Sequence, residues 1–111
     1  MSDYVPDNFV ILKLVNKGEV IYKVLAGWFG GFAGSNSWRI NSGITKFEKE
    51  DDVYFFHGHT GSTYICHETK ERMSMLMSST LASFVEQAKD VAGVSVEVIT
   101  LEDFVKEFDN N

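Results

Sequence analysis

The chain has one cysteine, one proline, two arginines and no apolar run long enough to cross a bilayer as a helix. A lone Cys66 excludes an internal disulfide and suits a reducing compartment. The opening Met1–Asp7 lacks the charged-then-apolar pattern of a secretion signal. The expectation is therefore a soluble, cytoplasmic protein with no membrane partner. Basic residues are also scarce, ten against sixteen acids for a net charge of −6, and they form no stripe. That argues against binding nucleic acid by tracking its phosphates. Residues 90–111 hold six of the acids against one base, Lys106. Such an acidic end serves solubility as a solvated surface, or meets a basic partner. Three motifs are missing as well: the G-x-x-x-x-G-K-[ST] phosphate loop, the G-x-G-x-x-G dinucleotide turn and the G-x-S-x-G nucleophile elbow.

What remains is rich in core-forming residues. At 44% hydrophobic and 14% aromatic over 111 residues, the chain can bury a core as a single domain, 1–111, without staples. Phe9–Val15 reads as a strand, Asn16–Glu19 as a turn, and Val20–Trp28 as a second strand, with Lys13 and Lys23 on the wetter face or edge of that hairpin. Trp38 to Phe47 reads as a third strand, with a bulge expected at Ser42-Gly43. Val53–His57, Thr63–His67 and Val94–Ile99 complete the set. Residues 68–77 fit either a loop or an early helical turn. From there Met77, Leu81, Phe84, Val85, Ala88, Val91 and Ala92 recur at steps of three and four. This predicts a long helix over about 79–92, capped by Ser78 or Ser79 and stopped by Gly93. Thr100-Leu-Glu-Asp103 opens a short final helix. The expected fold is α+β: one antiparallel meander sheet of five to six strands, the long helix on one face, and the short C-terminal helix.

The stretch from Gly27 to Ile44 stands apart. It contains both tryptophans, five of the nine glycines and one of the two arginines. Gly27, Gly30, Gly31 and Gly34 would weaken a strand or helix interior, so a shaped loop is expected. Backbone N–H groups of such a loop can form an anion nest, Arg39 can grip a phosphate or carboxylate, and Trp28 or Trp38 can stack on a ring. Trp28, Ser35, Asn36, Trp38, Arg39 and Asn41 are the candidate binding residues. If Trp38 and Ile40 point into the core, period-2 geometry sends Arg39 and Asn41 outward together. The plainer account is a tight connection with tryptophans as core filler.

His57, His59, Cys66 and His67 are the remaining chemistry-bearing residues. Their spacing matches no zinc motif, so neither a metal nor a cofactor is expected. Cys66 with a histidine, or Ser35 or Ser37 with one, has the residue types of a nucleophile and its base. Catalysis would require His57 or His59 within hydrogen-bond reach of Ser35–Asn41.

The run Lys23–Ile44, with its Gly-Gly, Ser-Trp-Arg and Asn-Ser-Gly-Ile core, and the run Tyr54–His67 resemble small uncharacterised accessory proteins of large tailed bacteriophages. The resemblance implies a host-cell cytoplasmic setting and a role in binding or inhibiting something of the host's. The leading expectation is a non-enzymatic binding protein that takes a host protein or a small anionic ligand through the Gly27–Gly43 loop. The rival is a small hydrolase or transferase using that loop as an anion cradle and a histidine as base. A third expectation is a homodimer formed through an exposed strand.

Overall fold

The structure, a computed structural model, describes residues 3–30 and 36–108. Eight strands and two helices follow in chain order: β1 (Asp3–Tyr4), β2 (Asn8–Asn16), β3 (Glu19–Trp28), β4 (Ser37–Ile40), β5 (Ile44–Glu50), β6 (Val53–Gly58), β7 (Thr63–His67), α1 (Met75–Lys89), β8 (Val94–Ile99) and α2 (Leu101–Phe108). The α+β class, the long helix and the short terminal helix are as the sequence predicts. The single meander is not. The strands divide into two four-stranded sheets, ordered β1-β7-β6-β5 and β4-β3-β2-β8.

One short connection explains the division. The expected third strand is two strands, β4 and β5, in different sheets. Asn41-Ser42-Gly43 carries the chain across between them, with Gly43 at φ +130°, a region that a side chain disfavours. What reads as a bulge within one strand is thus the corner of a sandwich. A true register shift does occur, but just beyond, between Ile44 and Lys46.

The β2-containing sheet is the middle of three layers. Phe9, Ile11, Tyr22, Val24 and Ala26 face the other sheet, where they meet Ile44, Tyr54, Phe56, Tyr64 and Cys66. Val10, Leu12 and Leu25 face the opposite way, onto Met77, Leu81 and Phe84 of α1. A strand covered on both faces needs apolar residues at successive positions, and Asn8–Leu12 is buried without a break. Lys13 and Lys23 therefore do not share a face. Lys13 lies across from Tyr22 and Lys23 across from Leu12, on opposite sides of the sheet.

The helix begins earlier than its periodicity suggests. Ser74, not Ser78 or Ser79, is the N-cap, its Oγ accepting from the Met77 N–H at 3.2 Å. The preceding segment settles as a 3-10 turn over Glu68–Lys70 followed by extended chain, in which the Arg72 N–H donates to the Phe9 carbonyl. Helix α1 ends at Lys89, so Val91 and Ala92 lie beyond it, and Val91 is half-exposed.

Gly27 belongs to β3 and not to a loop. It pairs with Asn8 on one side and Trp38 on the other. A Cβ there would lie 2.5 Å from Met77 Sδ and 2.9 Å from Met77 Cγ, so the missing side chain is the space Met77 fills. We expect Gly27→Val to destabilise by roughly 1–3 kcal/mol through overpacking. In a denaturant series, adding Met77→Ala should recover part of that loss, because the two changes share one space.

Helix α2 plugs the open end between the sheets. Thr100 Oγ1 accepts from the Asp103 N–H at 3.0 Å, and Glu71 Oε2 accepts from the Leu101 N–H at 2.7 Å, so the helix start is satisfied twice. Near its other end, Glu107 Oε1 accepts from Lys13 Nζ at 2.6 Å and from the Tyr22 hydroxyl at 3.0 Å. These two hydrogen bonds hold the Glu107 carboxyl below the usual glutamate range, and the Glu107 hydrogen bond raises Lys13. A depressed carboxylate stabilises the fold above its unfolded value, and that contribution is lost as acid protonates it. A raised lysine stabilises below its unfolded value and loses that contribution as alkali deprotonates it. Glu107→Gln should therefore weaken the fold at neutral pH and flatten its stability loss in acid, as followed by urea midpoints across pH.

Candidate functional site

Arg39 and Asn41 share a side of the sheet, as period 2 requires, but that side is not simply outward. In β4, Ile40 pairs with Leu25, Arg39 with Ala26 and Trp38 with Gly27. Trp38 and Ile40 consequently face α1, and the Trp38 ring meets Phe84 edge-on at 5.8 Å. Arg39 faces the other sheet, where its Cζ sits 4.6 Å from the centre of the Tyr4 ring. Asn41 is 4% exposed, against the expectation that it points outward. The reason is layering: the second face of this sheet is the interior of a sandwich.

Asn41 continues the sheet after β4 has ended. Its N–H donates to the Val24 carbonyl at 3.1 Å, and its Oδ1 accepts from the Val24 N–H at 2.8 Å. The side-chain carbonyl thus replaces the backbone acceptor that the departing strand no longer supplies. Because Oδ1 is engaged by a donor, the amide's orientation is set. Its Nδ2 is buried, with no hydrogen-bond partner among the described residues. An orphaned buried donor of this kind costs stability and calls for an explanation.

Asn41 lies in the wall of a cavity of about 190 Å³ shared with Arg39, Tyr4, Tyr64 and the hydroxyls of Ser42, Thr60 and Ser62. It sits at the seam where β4, one edge of its sheet, meets β1 and β7 at the edge of the other. Strand β1 places Tyr4 there by pairing in parallel with β7, Tyr4 beside Tyr64, and the two rings lie 5.0 Å apart. Burial pushes the Tyr64 phenol up to about 12, with Arg39 pulling against that rise. Tyr64 therefore keeps its proton near neutrality and remains a possible donor. Among the described residues Arg39 has no carboxylate within salt-bridge distance. A cation, a primary amide and several hydroxyls, with no carboxylate among the described lining residues, make a setting suited to an anion.

The other candidate residues do not converge on this cleft. Trp28 is half-buried at the same seam, with its Nε1 donating to the Val5 carbonyl at 2.9 Å and its ring edge-on to Tyr4. Asn36 is exposed and its Oδ1 accepts from the Gly30 N–H at 3.0 Å. Ser35 lies outside the described residues, as do Gly31 and Gly34 of the expected nest. Tyr4, Thr60, Ser62 and Tyr64 were not singled out by sequence. Nothing in a two-residue first strand or in the Gly58–Ser62 turn announces that they meet Arg39.

The histidines sit elsewhere. Tyr54 and Phe56 of β6 point inward, which puts His57 on the outer face, where its Nδ1 is 3.2 Å from Thr63 Oγ1 and its Nε2 is 3.7 Å from Glu48. The His59 ring lies against Gly43. Neither histidine hydrogen-bonds to the described part of the Ser35–Asn41 segment. Cys66 faces the core, and burial pushes its thiol up, away from the thiolate a nucleophile needs. His67 turns outward and engages Thr69. Among the described residues no group of three or more His, Cys, Asp or Glu side chains is placed to hold a metal ion, and no helix is long and apolar enough to cross a membrane. No known family, curated protein or solved structure matches the chain.

Proposed function

We propose that this protein is a non-enzymatic binding protein that takes a carboxylate or phosphate group into the Arg39–Asn41 cleft. The observation that carries the reading is a cleft lined by Arg39, Asn41, Ser42, Thr60 and Ser62 with no acid among its described lining residues. An anion seated there would pair with the guanidinium, and a small turn of the Asn41 side chain would let it accept from the amide as well. On the resemblance to phage accessory proteins, we place this binding in a bacterial host's cytoplasm. There the anion is either a free small molecule or an acidic or phosphorylated side chain of a host protein.

A pull-down from bacterial lysate with wild type and Arg39→Ala, each eluted with inorganic phosphate and then acetate, separates the two sources. A host protein captured by wild type alone and released by the anion places the group on a protein. No specific capture, with saturable binding of the free anion, makes the ligand a small molecule. Failure of both overturns the reading.

A further inference from the structure

A second cavity lies on the opposite face of the same sheet and has a different chemistry. It is a groove of about 390 Å³ between α1 and the sheet, floored by Leu12, Leu14 and Val96 and walled by Phe84, Ala88 and Val91. That volume falls in the range of small-molecule pockets, roughly 300–1,000 Å³. Among the described residues its lining is apolar apart from Gln87 and one cation, Lys23, and includes no acid.

Lys23 is the informative residue. It is half-buried in β3, across from Leu12, and among the described residues it has no ion pair or hydrogen bond from its side chain. The acids nearest in register do not serve it. Glu97 lies across from Lys13, on the other side of the sheet. A lysine stem can lie along apolar surface with its head in water, and that alone would account for Lys23. It would not account for the size of the apolar space beside it, nor for Val91 standing half-exposed at its rim.

We infer that this groove binds a small amphipathic anion, an alkyl or aryl chain ending in one carboxylate. The chain would lie on Leu12, Leu14, Val96 and Phe84, and the carboxylate would meet Lys23. The apolar walls supply most of the binding, and the single ammonium sets the direction in which the ligand lies. The site is distinct from the Arg39 cleft in its charged group, because Lys23 and Arg39 face opposite sides of the sheet, although Ile40 lines both cavities.

The molecule carries its own reporter. Trp38 packs edge-on against Phe84, a groove wall, so a ligand reaching Phe84 should alter tryptophan emission. The test titrates the full chain with decanoate and with decyltrimethylammonium, each below micelle formation, by fluorescence and by calorimetry. We expect saturable binding of decanoate, about tenfold tighter than the cation of equal chain length. Lys23→Glu should reverse that preference. Val91→Glu, at a half-exposed position outside the helix, should weaken decanoate by a similar factor without touching the core. Thermal melts check that both variants fold. Equal binding of the two probes, or none of either, overturns the inference and leaves Lys23 as a solvated lysine beside an incompletely covered sheet.

Discussion

Phe104→Ala is expected to lower the stability of the fold by roughly 3–5 kcal/mol, the cost of emptying a fully buried aromatic position. Phe104 has no exposed surface, and its ring lies 5.0–5.6 Å from those of Tyr22, Phe47, Phe56 and Phe108. These neighbours come from both sheets and from α2 itself. Cavity formation there cannot be relieved by one side chain moving, since each neighbour is held by a different element. The loss is a large share of the roughly 5–15 kcal/mol that such a domain has in total. Phe84→Ala is the internal comparison. Phe84 is half-buried beside a groove, so its loss should cost clearly less. Urea midpoints for the two variants decide the matter. An order reversed, with Phe84 dominant, would mean that α1 and not α2 seals the main core.

Asn41→Ala is the second large effect, and its size comes from one hydrogen bond. The substitution removes the acceptor that serves the buried Val24 N–H. An amide left buried without a partner costs about 1–3 kcal/mol. Part of this returns, because the orphaned Nδ2 disappears in the same change. Asn41→Asp keeps an acceptor but buries a charge, so it should be at least as damaging near neutral pH. Arg39→Ala, two residues away on the same face, should change stability by less than about 0.5 kcal/mol, since its guanidinium is exposed and rests on Tyr4 without a carboxylate. Melting curves that rank Arg39→Ala above Asn41→Ala in damage would show the assignment to be inverted.

The elements were legible in the sequence where one physical rule governed them. Strands β2, β3, β6, β7 and β8 follow apolar content and period, and α2 follows its Thr100 cap. Their assembly was hidden where two rules compete. Gly27 breaks strand propensity, yet it lies inside β3 because Met77 needs its volume, a contact fifty residues distant along the chain. Asn41-Ser42-Gly43 has the composition of a bulge and acts as a corner, because only the pairing of β4 with β3 and of β5 with β6 separates the two. The shared face of Arg39 and Asn41 was readable from period 2, but the presence of a second sheet over that face was not. Tyr4 and Tyr64 were invisible as site residues because parallel pairing of a two-residue strand leaves no local signal.

On the reading proposed above, the cleft at this seam holds an anion between Arg39 and Asn41. It is tested most directly by following the Asn41 side-chain amide signals by NMR while inorganic phosphate, and separately acetate, is added to wild type and to Arg39→Ala. A saturable shift of the Asn41 Nδ2 protons is expected in wild type with one of the two anions. In the folded Arg39→Ala variant, binding should weaken by at least about 2 kcal/mol, and the shift should be lost. Asn41 signals that stay unmoved by either anion in wild type, or that move equally in both proteins, would contradict it.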